Sequence, residues 1–404
     1  KNRFLVPLWL GAFVIVSTWI LKTKKTLVGL KRFLNVWSIT MASMFLLNVA
    51  FYFLNEEKLE MPNFSGSKVN HADVGDPIKV PDIYYIIFDG YPNEHTLKEK
   101  FDYDNSSFLN FLKKRGFYVA SKSHSNYALT VPSLNSSLDM NYIDHKFFKA
   151  AIQLGFIEGN NVLRFLKDRG YKAIKITSGK RVGKKNRFAD LEIKCDQISE
   201  VVSVLIRSSL YYPFEKHLRL IGNSHRQQTL CLFARLNEIA NRQSPKFIFG
   251  YVLLPRAPYV FGPNGENVVH EVSKKAYLGQ LIFTNKKIMT MVDKILEQSD
   301  SQPIIIIQSD HGPGFPYVAP NPIKTPDDDI EFKRNRMRNL SAYLLPGKDN
   351  EMVYQTISNV NTFRVIFNLY FNAGYKLLED KSYFSWGLRA YHTEETEEID
   401  PYVD

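Results

Sequence analysis

Cysteine is nearly absent: Cys195 and Cys231 are the only two in 404 residues. At most one disulfide can form, in an oxidising compartment, and the sequence leaves open whether it does. Internal repeats are missing, as is low complexity beyond the acidic end TEETEEIDPYVD, which reads as a solvated tail. The basic-aromatic pattern of a nucleic-acid reader is missing too. An excess of 52 Lys and Arg over 41 Asp and Glu gives a formal net charge of +11, but the basic residues are scattered over KKRG, GKRVGKK and FKRNRMRN. The expected partners are therefore a membrane lipid surface and anionic substrates, and no nucleic acid. Acids are also absent from the connector KTKKTLVGLKR at 22–32, which holds Lys22, Lys24, Lys25, Lys31 and Arg32.

Two uncharged runs flank that connector: FLVPLWLGAFVIVSTWIL from Phe4 to Leu21 and FLNVWSITMASMFLLNVAFYFL from Phe33 to Leu54. Both approach or reach the roughly 20 residues that cross a bilayer as helix. A buried core hairpin is the bland alternative. A signal peptide needs a small-residue cleavage site and leaves the second run unexplained. The sequence predicts two transmembrane helices, about 4–21 and 33–54, within a membrane anchor over 1–54. The basic connector lies on the cytoplasmic side, so the remainder is extracytoplasmic and the protein a multi-pass resident of the cytoplasmic (inner) membrane. The chain starts at Lys1 rather than a methionine, and further helices upstream are an open expectation.

From Asn55 to about Val80 the chain turns polar, with PNFSGSKVNHADVGDP, and reads as a linker; the folded domain is expected over 81–404. There, apolar runs alternate with amphipathic segments: DIYYIIF, SFLNFLKKRG, FYVA, NVLRFLKDRG and YKAIKIT. KFIFGYVLL at 246–254 and PIIIIQS at 303–309 are apolar almost throughout, as strands buried on both faces are. Between them EVSKKAYLGQLIFTNKKIMTMVDKILEQS has helical spacing and the length of a crossover helix. The predicted fold class is α/β, a mostly parallel central sheet with helices on both faces.

In such sheets ligands bind beyond the carboxyl ends of the strands. Asp89 ends IIFDG there, Arg256 follows YVLLP, and Asp310 and His311 end IIIIQSDHG. Each is also compatible with an ordinary turn. A further block, SNYALTVPSLNSSLDM, sets Thr130 shortly before Pro132. Since Pro favours a helix's first turn, the hydroxyl is expected at a helix N-terminus, where amides and dipole favour an anion; a simple cap is the alternative. Together Asp89, Thr130, Asp310 and His311 make a ligand set for one divalent metal ion, manganese, magnesium or zinc. Such an ion would activate the Thr130 hydroxyl to attack phosphorus.

The blocks PDIYYIIFDGY, SNYALTVPSLNSSL, LLPRAPYVFGPNG and SDHGPGF, in this order, resemble the alkaline phosphatase and sulfatase superfamily. Within it the chain looks most similar to membrane-anchored sulfatase-like proteins related to lipoteichoic acid synthases and phosphoethanolamine transferases. The resemblance covers roughly Pro81 to the end. It implies an alkaline phosphatase-like fold, with Asp89, Asp310 and His311 as metal ligands and Thr130 as both ligand and nucleophile. Sulfatases of the superfamily carry a Cys or Ser, converted to formylglycine, in Cys-x-Pro-Ser-Arg; this chain reads TVPSL, with Leu134 in the Arg place. Formylglycine cannot be made from Thr, so phosphoryl transfer is implied rather than sulfate ester hydrolysis.

Relatives carry a His where this chain has Arg256. A guanidinium holds phosphate bidentately but neither accepts a proton nor binds metal. One metal is therefore expected, with Arg256 clamping substrate. His124, six residues before Thr130, is a second candidate for substrate contact, with a plain surface histidine as the equal alternative, and His95 is a candidate for the mouth of the pocket. His71, His145, His217, His225, His270 and His392 have no ligand-like spacing. Arg334, Arg336 and Arg338 read as a solvated helix face, the lesser alternative being that one of them faces anionic substrate. The expected function is a membrane-anchored, metal-dependent phosphoryl transferase or hydrolase acting on phosphodiester headgroup or envelope glycan substrates. The alternative is a catalytically degenerate protein that binds an anionic glycan or lipid, or an envelope assembly partner.

Overall fold

A computed structural model describes residues 28–54, 81–143, 159–177, 188–195, 220–239, 244–268, 273–314, 326–348, 352–385 and 397–402, with single positions between 11 and 22. The chain divides into two compact units, Lys1–Ser67 and Lys68–Asp404. In the first, helix α1 covers Val28–Leu54, so the second uncharged run is helical along its length. Among the described residues, however, no helix is long and apolar enough to cross a membrane. Most of the 4–21 run, the side chains of 44–54 and the whole 55–80 stretch lie outside the described residues.

The second unit is built on strands β1 Ile83–Asp89, β2 Tyr118–Val119, β3 Lys172–Thr177, β4 Leu191–Lys194, β5 Lys246–Pro255, β6 Ile304–Ser309 and β7 Ser341–Leu344. They form one sheet in the order β2-β7-β6-β1-β5-β3-β4. β4, β3, β5, β1 and β6 are parallel, whereas β7 runs antiparallel to both β6 and β2. A separate pair joins β8 Tyr383–Phe384 to β9 Glu397–Glu398.

Strand alternation divides the core into two layers, because successive side chains leave a strand on opposite faces. Tyr84, Ile86 and Phe88 of β1, with Ile305 and Ile307 of β6, pack against helices α2 Glu94–Phe101, α3 Ser106–Lys114, α6 Leu220–Glu238, α7 Lys274–Gln298 and α8 Pro326–Met337. Ile83, Tyr85 and Ile87, with Ile304 and Ile306, pack against α4 Thr130–Asp139, α5 Asn161–Lys167 and α9 Thr362–Phe371. Helices thus cover both faces, as expected. All seven residues of β1 and all six of β6 are buried, which accounts for their apolar runs up to the polar ends Asp89 and Gln308-Ser309.

β5, α7 and β6 make the anticipated strand-helix-strand unit, but its two strands are not neighbours. β1 lies between them and pairs with both. This insertion assembles the site. Phe88 of β1 pairs with Ser309 of β6, and after an irregularity Asp89 pairs with Pro255 of β5, so the ends of three distant segments meet at one edge. Cys195 and Cys231 are bonded, Cα to Cα 5.8 Å, tying the residue after β4 to α6.

Candidate active site

Asp89 is the last residue of β1 and is wholly buried. Its Oδ2 accepts hydrogen bonds from the Tyr251 hydroxyl of β5 at 2.5 Å and from Arg256 Nη1 at 2.9 Å. Its Oδ1 has no hydrogen-bond partner. Asp310 follows β6 directly and is equally buried. Its Oδ1 accepts from the amides of Gly90 at 3.1 Å and His311 at 2.9 Å, while its Oδ2 has no partner. Gly90 reaches that oxygen from a left-handed conformation, φ +75°, which a residue with a Cβ rarely adopts.

His311 stands between the two orphaned oxygens. Its Nε2 lies 3.3 Å from Asp310 Oδ2 and 3.8 Å from Asp89 Oδ1. Its Nδ1 lies 3.0 Å from the Gly312 carbonyl, an acceptor, so Nδ1 carries the proton and Nε2 presents its lone pair to the carboxylates. Thr130 is the first residue of α4, as Pro132 led one to expect, and its Oγ1 lies 3.2 Å from the same Nε2. The four residues expected to act together are therefore within reach of one point, and Asp89, Asp310 and His311 form a buried cluster able to hold a metal ion.

The charges are held apart. Burial works against ionised Asp89, yet the Arg256 guanidinium and the hydrogen bond from the Tyr251 hydroxyl keep it below the usual carboxylate range. Burial, reinforced by Asp89, pushes Asp310 up to about 8. Burial and the Arg336 guanidinium push His311 well below the usual imidazole range, against the pull of Asp89. At neutral pH the group thus holds one ionised carboxylate, one protonated one and a neutral imidazole. The donor set suits a divalent cation: two buried carboxylate oxygens without partners and a directed lone pair are what such an ion would satisfy.

The cleft outside this group has a volume of about 310 Å³, with Arg256, Arg336, Tyr259, Tyr277, Phe332 and Phe384 among its walls. Arg256 sits there as expected, and it also pairs with Asp89 rather than facing the cleft alone. Arg336 is a residue for which sequence reasoning preferred a solvated face and kept a substrate contact only as the lesser alternative. Far from lying on a solvated face, it donates from Nε to the Ala128 carbonyl at 2.9 Å and from Nη1 to the Gly312 carbonyl at 2.6 Å, and its Nη2 lies 3.0 Å from His311 Nε2. The alternating arginines of KRNRMRN were the signal available, without a direction. Tyr251 was hidden in an apolar strand.

His124 is corrected. It is buried at 4% exposure, its Nδ1 is 2.8 Å from Ser382 Oγ, and its ring edge meets Tyr402. Backbone bonds from Ser125 to Met337 and from Asn339 to Ser123 pin this segment, and His124 is not among the cleft-lining residues. His95 is exposed on α2 and pairs with Glu99 at 3.2 Å.

No family model and no curated protein matches this sequence. Solved structures do match. The C-terminal periplasmic domain of EcEptC from Escherichia coli is 13% identical, with a TM-score of 0.52 over 80% of this chain and 91% of that one. The same domain in complex with Zn gives 13% and 0.52 over 80% and 90%. The C-terminal periplasmic domain of phosphoethanolamine transferase EptC from Campylobacter jejuni is 14% identical, with a TM-score of 0.43 over 72% and 90%. At these identities the likeness to the Escherichia coli domain establishes a shared fold.

Proposed function

We propose that this chain is a membrane-anchored, extracytoplasmic phosphoryl transferase or hydrolase that acts on phosphodiester headgroup or envelope glycan substrates through Thr130. One observation carries the reading: Asp89 Oδ1 and Asp310 Oδ2, both buried and without partners, stand around His311 Nε2 next to a hydroxyl at a helix N-terminus. The fold shared with a periplasmic domain that has been solved with Zn supports it.

Asp89, Thr130, Asp310 and His311 would hold one divalent ion, manganese, magnesium or zinc. Bound there, the ion would supply positive charge to a phosphoryl oxygen and lower the pKa of the Thr130 hydroxyl. Thr130 Oγ1 forms the new bond to phosphorus as the bond to the leaving group breaks, the Thr130 proton passing to solvent and the departing alkoxide taking one from solvent to leave as an alcohol. The amides of the first turn of α4 face the developing negative charge. Arg256 holds a non-bridging oxygen while keeping Asp89 ionised. An acceptor hydroxyl or water then takes the group from the phosphothreonine, and Thr130 regains its proton. Positioning and charge neutralisation suffice for this chemistry.

Intact-mass analysis of the full chain with manganese and phosphatidylethanolamine or phosphatidylglycerol tests the proposal. A covalent phosphoryl-group adduct is expected on the wild type and none on Thr130→Ala. No adduct with any phosphodiester donor, together with no bound metal, would favour the second reading, an anion-binding protein without turnover. That reading has its own support: two guanidinium groups already contact the acid and imidazole side chains of the site.

A further inference from the structure

His311 Nε2 has one lone pair, since Nδ1 carries the proton donated to Gly312. Three groups approach it, one being the Thr130 hydroxyl at 3.2 Å, a neutral and therefore weaker donor than a guanidinium. On one side are the unpartnered Asp89 Oδ1 and Asp310 Oδ2, which mark where a cation would sit. On the other is Arg336 Nη2 at 3.0 Å, whose N–H donates to the same lone pair. One lone pair cannot serve a guanidinium N–H and a cation together, and two positive charges crowded on one nitrogen repel.

Resting on the metal site proposed above, we propose that Arg336 is a displaceable guard on His311. Its Nη2 holds the Nε2 lone pair while the cation is absent. It releases Nε2 when the cation arrives and turns to an anionic oxygen of the substrate in the cleft. The other two nitrogens restrict this movement to a tilt of the planar fork about its Nε–Nη1 edge, which keeps both of their bonds. Nε is held by the Ala128 carbonyl, on the segment leading to Thr130, and Nη1 by the Gly312 carbonyl, on the turn leaving His311. Arg336 already lines the cleft, so it stays within reach of a bound anion after leaving Nε2. Cation and phosphodiester anion then bind cooperatively, each tightening the other by the same factor. The substrate group selected is a tetrahedral monoanion that offers one oxygen to Arg256 and another to Arg336.

Equilibrium dialysis of manganese against the chelator-stripped full chain tests this, with and without dimethyl phosphate, a diester anion. Wild type, Arg336→Gln, Arg336→Lys and Asp310→Asn are compared, with folding checked by circular dichroism. Removing the competing charged donor should tighten manganese binding in Arg336→Gln by about ten- to a hundredfold. It should also reduce the tightening that dimethyl phosphate produces in the wild type. Arg336→Lys keeps a cation for the carbonyls but loses the fork, and is expected to tighten metal binding as well, so a misfolded Arg336→Gln does not end the test. Wild-type binding that is lost in Asp310→Asn but unchanged in both Arg336 variants overturns the guard and leaves the metal site standing. A wild type that takes no manganese and no zinc overturns the metal site itself, and the guard with it. Absence of any dimethyl phosphate effect in the wild type overturns the guard without recourse to a variant.

Discussion

Gly312 is expected to be irreplaceable for a reason of space rather than of backbone conformation. A Cβ at this position would lie 2.1 Å from the Asn335 carbonyl oxygen and 2.7 Å from that of Arg338, where α8 ends against the turn after His311. Non-bonded heavy atoms sit roughly 3.5 Å apart, so Gly312→Ala must drive the two segments apart by about 1 Å or more. The Gly312 amide would lose its bond to the Arg336 carbonyl at 2.8 Å, and Arg336 Nη1 its bond to the Gly312 carbonyl at 2.6 Å. A neutral bond contributes about 1 kcal/mol, a charged donor about 1.5–3, and overpacking costs about 1–3. With partial relaxation the total is about 3–5 kcal/mol, a thermal midpoint lower by roughly 4–7 °C for a unit of this size. Gly314→Ala is the control: its Cβ would meet only Arg336 Nη1, at 3.6 Å, an ordinary contact. Thermal unfolding of the full chain, read by pulse proteolysis, compares the two. Equal midpoints for wild type and Gly312→Ala, or an equal loss in Gly314→Ala, would refute the steric argument.

Asp310 yields a pH dependence with a definite sign. Its carboxyl is raised to about 8 by burial and by Asp89, so its contribution is full below the ordinary carboxylate range and is lost as pH rises through about 8. The chelator-stripped protein should therefore melt lower at pH 8.5 than at pH 6, by a margin that shrinks in Asp310→Asn; a midpoint that rises instead contradicts the assignment. Metal loading at neutral pH should release about one proton, measured by calorimetry in two buffers of different ionisation enthalpy. The Cys195–Cys231 bond closes a sequence separation of 36 residues. Replacing both by Ser should cost about 4 kcal/mol on the loop-entropy account, seen as a lower urea midpoint, and an unchanged midpoint would remove that account.

Much of the fold was legible because it follows from local pattern. The apolar runs around Ile83, Phe247 and Ile304 are buried on both faces, and burial on both faces needs no alternation. Asp89 and Asp310 were found because a carboxylate ending such a run lands at the sheet's carboxyl edge, and Thr130 because Pro132 announces a first helical turn. His124 failed for a physical reason: nearness in sequence to Thr130 does not set side-chain direction, and its segment is pinned to Met337 and Asn339 and turned toward Ser382. Arg336 failed for the converse reason. Nothing local tells an arginine on a charged helix from its neighbours, and only the seat of α8 on Gly312 turns it inward.

By itself the sequence determined the α/β alternation, the strands destined for the centre, and the carboxylates, imidazole and hydroxyl available for a site, since these depend on period and residue chemistry alone. The tertiary structure decided that β1 separates β5 from β6, and so which strand ends meet. It also decided that Cys195 reaches Cys231, that Arg256 pairs with Asp89, and that Arg336 stands on His311. Those outcomes depend on strand order and register across separations as long as the 220 residues between Gly90 and Asp310, where a shift of one residue would turn each side chain to the other face.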